Sequence, residues 1–307
     1  VNLPAGTAGA IVAFADYTRT FENNNLTIVP NGSNKIGGVA ANAALTINGQ
    51  AATFVFVDAT EGWINVQNAE DTEKGSTFIS ATGGTVTCSG NCRIHTFTGP
   101  GTFCVSSLSN TPANNEVSYL VVAGGGGGGG GGSPGYGRGG GGAGGFRESK
   151  SPTTSYTASP LDGQPNAPNR ITVTATSFPI AVGGGGAGVP DSPSTAAGTS
   201  GAVSTFSTIS SAGGGGGAGN TPPGGSAGGS GGGGSDAPYP SLPTPSGGGN
   251  GNTPPTTPAQ GSNGGTNGAG KPVSAGGGGG GATSVGQNAG VSSPHFGGTG
   301  GAGATTS

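Results

Sequence analysis

The sequence Val117-Ser118-Tyr119-Leu120-Val121-Val122-Ala123 leads directly into nine consecutive glycines at residues 124–132. Shorter glycine runs recur downstream, at residues 139–142, 183–186, 213–217, 231–234 and 276–281. Of the 74 glycines in the chain, 61 lie among the 184 residues from Gly124 onward. Glycine has no side chain to bury and loses the most backbone entropy when it is ordered, which excludes an ordinary apolar core here. This half of the chain is therefore either a flexible polymer or a structure that packs through its backbone.

The composition excludes several classes of function. Charged residues make up 7% of the chain, against a usual ~25%. Disordered chains are normally rich in charge, so this sequence does not have their usual signature. A formal net charge of −3 gives no electrostatic footprint for nucleic acid or anionic lipid, and no apolar stretch reaches the ~18 residues of a membrane helix. Because the chain contains no methionine, we expect it to be a processed product or an excerpt.

The residues before the glycine runs predict two small all-β units built from short antiparallel strands, with almost no α-helix. We place a small β-domain, for attachment or as a shaft, at residues 1–75 and a second β-unit at residues 76–123. No window has the 3.6-residue apolar period of a helix. Asn48-Gly49 lies between the alternating Leu45 and Ile47 and the run at 53–57, a pattern typical of a tight hairpin.

Short apolar phrases open several of the glycine runs, and a flexible linker does not need them. Examples are Phe178 and Ile180 before one run, and Phe206 and Ile209 before the next. We therefore expect residues 124–307 to form a fibrous bundle of polyglycine II-type helices, joined by Pro/Ser/Thr loops, with a flexible coil as the alternative. This left-handed helix has three residues per turn, rises ~3.1 Å per residue and leaves its N–H and C=O groups free to bond neighbours. The expected core positions are Gly124, Gly128, Gly132, Gly184, Gly215 and Gly278.

Three clustered cysteines leave two alternatives open. Cys88 and Cys92 are spaced for a disulfide across a tight turn, whereas buried free thiols explain the cluster equally well. The spacing to Cys104 does not fit a zinc site, which takes two closely spaced pairs of ligands. We predict a possible Cys88–Cys92 disulfide and no metal.

No constellation for catalysis is visible in the sequence. Glu61, Glu70, Asp71 and Glu73 could in principle supply the carboxylate pair of a glycosidase, but solvated turns explain them better. His95 and His295 are the only histidines and have no evident partner set, so we expect His95 to pair across a sheet with a polar or aromatic neighbour. We predict that the protein is not an enzyme and takes no cofactor.

Two further phrases carry a resemblance to a known group of proteins. They are Cys92-Arg93-Ile94-His95-Thr96-Phe97-Thr98-Gly99-Pro100-Gly101-Thr102-Phe103 and Tyr119-Leu120-Val121-Val122-Ala123-Gly124, and Gly144-Gly145-Phe146-Arg147 fits the same style. The chain resembles glycine-rich virion proteins of tailed phages, notably phages of marine cyanobacteria. The resemblance is most specific from Phe78 to Phe146, and it implies a tail-fibre or adhesin component at the virion surface.

By this resemblance, loops held out by the glycine bundle would bind the host cell. The implied partners are a cell-surface glycan or outer-membrane protein and other fibre subunits, in a possible homotrimer or filament, with no nucleic acid and no membrane insertion. Aromatic and basic side chains suit sugar rings and anionic groups, although each of them could instead pack at the bundle margin. The candidate contacts are Tyr136, Arg138, Phe146, Tyr156, Tyr239 and Phe296. The alternatives are a purely structural filament or capsid-surface subunit and, third, a polysaccharide-degrading enzyme.

Overall fold

The computed structural model describes residues 1–69, 77–131, 137–190, 195–221, 224–236, 246–267, 275–290 and 296–306. The chain divides into two compact units, Val1–Ser76 and Thr77–Ser307. Apart from two short 3₁₀ turns, Pro112–Asn115 and Ala167–Asn169, the regular secondary structure of the described residues is β, in short antiparallel sheets. The all-β prediction without α-helix is confirmed in this part of the chain. The described residues also contain no helix long and apolar enough to cross a membrane.

The first unit contains a three-stranded sheet and a separate hairpin. Its strands are β1 (Ile11–Ala15), β2 (Leu26–Ile28), β3 (Ala43–Leu45), β4 (Ala51–Asp58) and β5 (Gly62–Ala69). The sheet order is β1-β4-β5, and β2 pairs with β3. Every second residue of β4 is buried from Ala52 to Phe56, as expected of a strand with one face on a core. The fully buried Trp63 meets Phe56 edge to face, with ring centroids 5.5 Å apart.

The predicted hairpin at Asn48-Gly49 is wrong, because the flanking strands belong to different sheets. β3 pairs with β2, whereas β4 pairs with β1 and β5. Gly49 does adopt the left-handed conformation, with φ of +77°. The Gln50 side chain then accepts the N–H of Thr46 at 3.0 Å and closes the turn locally. Asn48 does not have the positive φ that a tight hairpin turn requires, so the turn at Gly49 leads the chain into another sheet instead of folding it back.

The second unit begins with β-structure that later parts of the chain complete. Its strands are β6 (Ser80–Thr82), β7 (Thr85–Ser89), β8 (Cys92–Thr96), β9 (Gly101–Ser107), β10 (Glu116–Val117), β11 (Tyr119–Val122), β12 (Phe146–Ser149), β13 (Ile171–Thr172), β14 (Ser177–Ala181), β15 (Ser204–Phe206) and β16 (Ile209–Ser211). Five of them form a sheet in the order β16-β15-β14-β9-β6. The remaining pairs are β7–β8, β10–β13 and β11–β12. The predicted boundary at residue 123 therefore does not separate two units, because strands on both sides of it pair with each other.

The apolar phrases noted in the sequence form the core of this β-region. Phe206 lies edge to face with Phe103 and Tyr119, at centroid distances of 6.0 and 6.2 Å. Phe178 and Ile180 pack against the same cluster. We call this region the base, because the glycine-rich segments start from it.

Twelve glycine-rich segments that are neither helix nor strand occur among the described residues. They are segment 1 (124–131), segment 2 (137–145), segment 3 (183–190), segment 4 (195–203), segment 5 (213–221), segment 6 (224–229), segment 7 (230–236), segment 8 (246–252), segment 9 (260–267), segment 10 (275–282), segment 11 (283–290) and segment 12 (296–306). Within these described ranges, no backbone hydrogen bond joins two residues of one segment. All of their backbone bonds therefore run to other parts of the chain.

Neighbouring segments are bonded at every third residue. The N–H groups of Gly124, Gly127 and Gly130 in segment 1 donate to carbonyls of segment 4, over 3.0, 2.9 and 2.9 Å. Those of Gly126 and Gly129 donate to segment 2, over 2.8 and 3.0 Å. A β-strand has a period of two and bonds only the neighbours on its two sides. The period of three gives each segment bonding directions to more than two neighbours.

The same period decides where a side chain fits. A Cβ atom added to Gly127 or Gly129 would lie 2.1 or 1.9 Å from a neighbouring carbonyl oxygen, whereas one on Gly128 meets nothing closer than 3.9 Å. Gly128 and Gly184 are exposed, so their predicted place in the core is wrong. Each lies at an outward-facing position that recurs at every third residue of its peripheral segment. The expected core positions that are buried are Gly124, Gly215 and Gly278. Gly132 lies outside the described residues.

Segment 7 has six hydrogen-bonded neighbours. Its N–H groups donate to segments 2, 6 and 9, and its carbonyls accept from segments 5, 8 and 10. Residues 230–235 are all buried, which only glycine and serine achieve here because every side faces another backbone. The polyglycine II conformation itself stays a prediction.

A matched pair of alanine variants tests this packing. Gly215→Ala places a Cβ 1.9 Å from the carbonyl oxygen of Ser226, and we expect it to lower the free energy of unfolding by about 1–3 kcal/mol. Gly184→Ala has nothing within 4 Å and should leave stability unchanged or raise it by at most ~1 kcal/mol. Calorimetric unfolding of the full chain measures both. Equal effects of the two variants would contradict the packing.

Candidate functional site: the apical end of the glycine-rich unit

The segments run alternately away from the base and back to it. Segment 1 starts at the base, and the bonding pattern makes segments 3, 5, 7, 9 and 11 run in the same direction. Segments 2, 4, 6, 8, 10 and 12 run back. The six outward segments therefore all end on one side, which we call the apical end. Backbone bonds between the described residues there join Thr221 to Thr195, Asp236 to Gly137 and Asn267 to Ser246.

Six stretches of sequence, which we call the connections, lie between the ends of the outward segments and the starts of the returning segments, and they fall outside the described residues. Their sequences are residues 132–136, 191–194, 222–223, 237–245, 268–274 and 291–295, and each contains proline. Proline fixes φ and reduces the entropy of the unfolded chain. These sequences also contain aromatic and ionisable residues, namely Tyr136, Asp191, Tyr239, Lys271 and His295. Tyr136 and Tyr239, two predicted contacts, thus lie outside the described residues.

Two other predicted contacts lie at the described apical end. Phe296 starts segment 12, is 67% exposed, and its carbonyl accepts the N–H of Gly290 at 2.9 Å. Arg138 is the second residue of segment 2 and donates from Nη2 to the carbonyl of Gly131 over 3.4 Å. Burial raises the pKa of the nearby Asp236 carboxyl above its usual value. The described part of this end therefore offers an exposed ring, a guanidinium and a carboxyl.

Phe146 does not form a surface contact, contrary to prediction. It lies in β12 at the base, is 9% exposed, and pairs with Val122 of β11. Its N–H donates to the carbonyl of Gln260 over 2.8 Å. Phe146 directly follows a glycine segment, whereas the other aromatic phrases directly precede one. It therefore lies where a segment meets the base, and it packs there as those phrases do.

Tyr156 is also at the base and not at the apical end. It is half-buried, and its hydroxyl is hydrogen-bonded to the Glu148 carboxylate. Burial, followed by the charge of Glu148, raises the pKa of the Tyr156 phenol. Glu148 is 2% exposed and accepts the N–H of Ser159 at 2.9 Å. Tyr156 therefore completes a structural polar cluster.

The cysteines and His95 belong to the β7–β8 hairpin and its surroundings. The register pairs Cys88 with Arg93 and Cys92 with Ser89, so the two cysteine side chains project to opposite faces. Both are free thiols, as is Cys104, and the predicted disulfide is not formed. His95 packs edge to face on Phe103 at 5.0 Å, and its Nδ1 lies 2.8 Å from the carbonyl oxygen of Gly83, which confirms its cross-sheet pairing.

A family model described as a glycine-rich domain matches residues 98–307. The chain belongs to the glycine-rich domain family. This match covers the base from β9 onward and all twelve segments, more than half of the chain. No curated protein matches the sequence. The family description names the composition of the domain and gives no virion, receptor or enzymatic role.

Sequence reasoning missed the rows of small residues that face inward from the peripheral segments. Burial recurs every third residue. Gly198 in segment 4 and Ser204 at the start of β15 are buried on either side of the half-buried Gly201, and Gly286 and Ala289 are buried in segment 11. The intervening positions carry larger side chains, which are exposed. Segments that contain both glycines and larger residues therefore have a Gly-x-x pattern in their sequence. This pattern indicates which side of the segment faces its neighbours.

The buried phenol of Tyr119 gives the base a measurable pH dependence. Its hydroxyl donates to the carbonyl of Asn169 over 2.7 Å, and burial raises its pKa to about 12, against an ordinary value near 10. The unfolded chain therefore releases this proton first. We expect the stabilisation to be fully present below pH 10 and to be lost as the pH rises from 10 to 12. Chemical unfolding across this range measures it, and Tyr119→Phe should make the decline shallower; an unchanged slope in that variant would contradict the assignment.

Proposed function

We propose that this protein is a tail-fibre or adhesin component of a tailed phage, in which a polyglycine II-type bundle holds out apical connections that bind the host cell surface. The observation that supports the proposal is that all six outward segments end on one side of the unit, and a proline-containing stretch of sequence follows each of them. The base, at the opposite end, is closed by sheets and an aromatic core. Recognition is therefore separated from folding, because the connections can vary while the segments stay fixed.

Four observations support the polyglycine II part of the proposal. Bonds recur at every third residue, none is internal to a segment, and segment 7 is bonded to six neighbours. A polyglycine II helix requires a negative φ, and no described glycine after Gly90 has a positive φ. The eight residues of segment 1 would then span about 25 Å, which sets the distance from base to apical end.

The chemistry of the apical end favours a neutral or weakly charged partner, such as a glycan or the loops of an outer-membrane protein. Aromatic rings there suit sugar faces, and prolines limit the entropy lost on binding. The proposed location is the virion surface. A structural filament without a receptor role is the second candidate, because the lateral bonding itself suits a shaft.

An apical variant tests the receptor role in the full chain. We expect Tyr136→Ser, Tyr239→Ser and Phe296→Ser, combined, to weaken binding to susceptible cyanobacterial cells at least tenfold, because stacking surface is removed. Tyr17→Ser is the matched control, since Tyr17 is 94% exposed in the first unit. Binding of fluorescently labelled protein to whole cells is the measurement.

The outcomes separate the candidate functions. Failure of the unaltered chain to bind cells that the phage infects would favour the structural filament. Equal loss in the apical variant and the Tyr17→Ser control would remove the apical end as the site. Release of sugar from the host envelope would favour the enzyme.

A further inference from the structure

One groove in the glycine-rich unit has the shape of a missing segment. It has a volume of about 470 Å³ and is lined by segments 2, 10 and 12. Segment 10 forms its floor, at residues 275–279, and the walls come from segments 2 and 12. Every lining residue is glycine except Arg138 and Ala275. An incoming backbone could therefore approach the floor and both walls closely.

The floor of the groove presents backbone donors that have no acceptor in the described part of the chain. Segment 10 donates N–H groups to segments 7 and 11 and accepts from segments 2, 9 and 12, so it has five neighbours where segment 7 has six. The N–H groups of Gly276 and Gly279 have no protein partner among the described residues, although both residues are buried. The Gly279 nitrogen faces segment 2, 3.0 Å from where a Cβ on Gly140 would stand. The absent sixth neighbour is therefore one that supplies a carbonyl at every third residue.

The wall formed by segment 12 has glycines at positions where the chain itself could accommodate a side chain. A Cβ on Gly297 or Gly300 would meet nothing closer than 3.7 or 3.9 Å, and neither residue has a φ that requires glycine. The other outward-facing positions of the segment carry Thr299 and Ala302. Exposed glycine costs roughly 0.5–1 kcal/mol relative to alanine in ordered structure. Side chains are thus absent where a docking backbone must approach.

We propose that this groove is the docking site for an extended, glycine-rich segment of another polypeptide, with glycine at every third position. Its carbonyls would accept from Gly276 and Gly279, and it would add to the bundle as a strand adds to a sheet edge. Segment 12 already bonds laterally to segment 10 with the opposite polarity, because the N–H groups of Gly298 and Gly301 donate to the carbonyls of Gly276 and Gly279, each over 2.9 Å. The inference rests on the bundle part of the proposed function and not on the receptor role.

The order of donors and acceptors argues against a symmetric pair of copies as the occupant. Around segment 7 the neighbours follow in the order 2, 10, 9, 8, 6 and 5, and they alternate between accepting and donating. A half-turn about an axis parallel to the segments exchanges these directions. Two copies mated by such a half-turn would therefore set donors against donors, whereas a separate chain can enter in the matching orientation.

A peptide probe tests the groove in the full-length protein. The probe is a synthetic peptide with the sequence of residues 296–306, and the control peptide carries Gly298→Val and Gly301→Val. We expect saturable binding of the first peptide and none of the second, by isothermal titration calorimetry. Gly300→Val should weaken binding at least tenfold by filling the groove, while Thr299→Val, on the other outward-facing row, should leave binding unchanged. Melting temperatures within a few degrees confirm that both variants fold.

Three results would overturn the proposal. The first is no binding of the unmodified peptide, and the second is binding that Gly300→Val leaves intact. The third is self-association of the full chain that Gly300→Val abolishes, because the occupant would then be a second copy; sedimentation equilibrium measures this. If the protein does not bind host cells, the receptor role fails but the peptide-binding results still test the groove. If the bundle itself is wrong, Gly215→Ala and Gly184→Ala will have equal effects on stability.

Discussion

The glycine-rich unit depends on backbone hydrogen bonds between neighbouring segments, made at every third residue. Each such bond contributes only about 0.5–1.5 kcal/mol net, yet an unpaired buried N–H or C=O costs at least as much. The segments must therefore approach closely on all sides, and a Cβ at Gly127, Gly129 or Gly215 would lie about 2 Å from a neighbouring oxygen. The scarcity of side chains follows from this constraint. The apolar residues that remain gather at the base, where Phe103, Phe206 and Tyr119 anchor the sheets from which the segments start.

The sequence predicted the broad arrangement because composition and apolar phrases carry it. Glycine runs opened by Phe178 and Phe206 indicate structure and not a linker, and the β-class of the remainder follows from short alternating strands. The rotation of each segment about its own axis could not be predicted, because a run of identical glycines does not show which residue of every three faces outward. Gly128 and Gly184 were placed in the core for that reason. Only segments that also contain larger residues, such as Gly198-x-x-Gly201, show in their sequence which residues face inward.

Local signals also failed where distant pairing decides the outcome. The Asn48-Gly49 turn forms, but its flanking strands find partners in two different sheets. Phe146 was assigned to the surface from its side-chain chemistry, yet β11 pairs with its strand and buries it. The apical end itself could not be located from the sequence, since it follows from the alternating directions of twelve segments. That topology brings the described ends of the six outward segments to one candidate surface and leaves the groove as a second one.

Residue-resolved amide hydrogen exchange across segment 1 of the full chain tests the central claim most directly. The bonding pattern leaves Gly125 and Gly128 without an acceptor among the described residues, while Gly124, Gly127 and Gly130 donate to segment 4. The account predicts fast exchange at residues 125 and 128 and slow exchange at 124, 126, 127, 129 and 130, a period of three. Uniformly fast exchange would mean a flexible coil, and protection at alternate residues would mean a β-strand; either result would contradict the account.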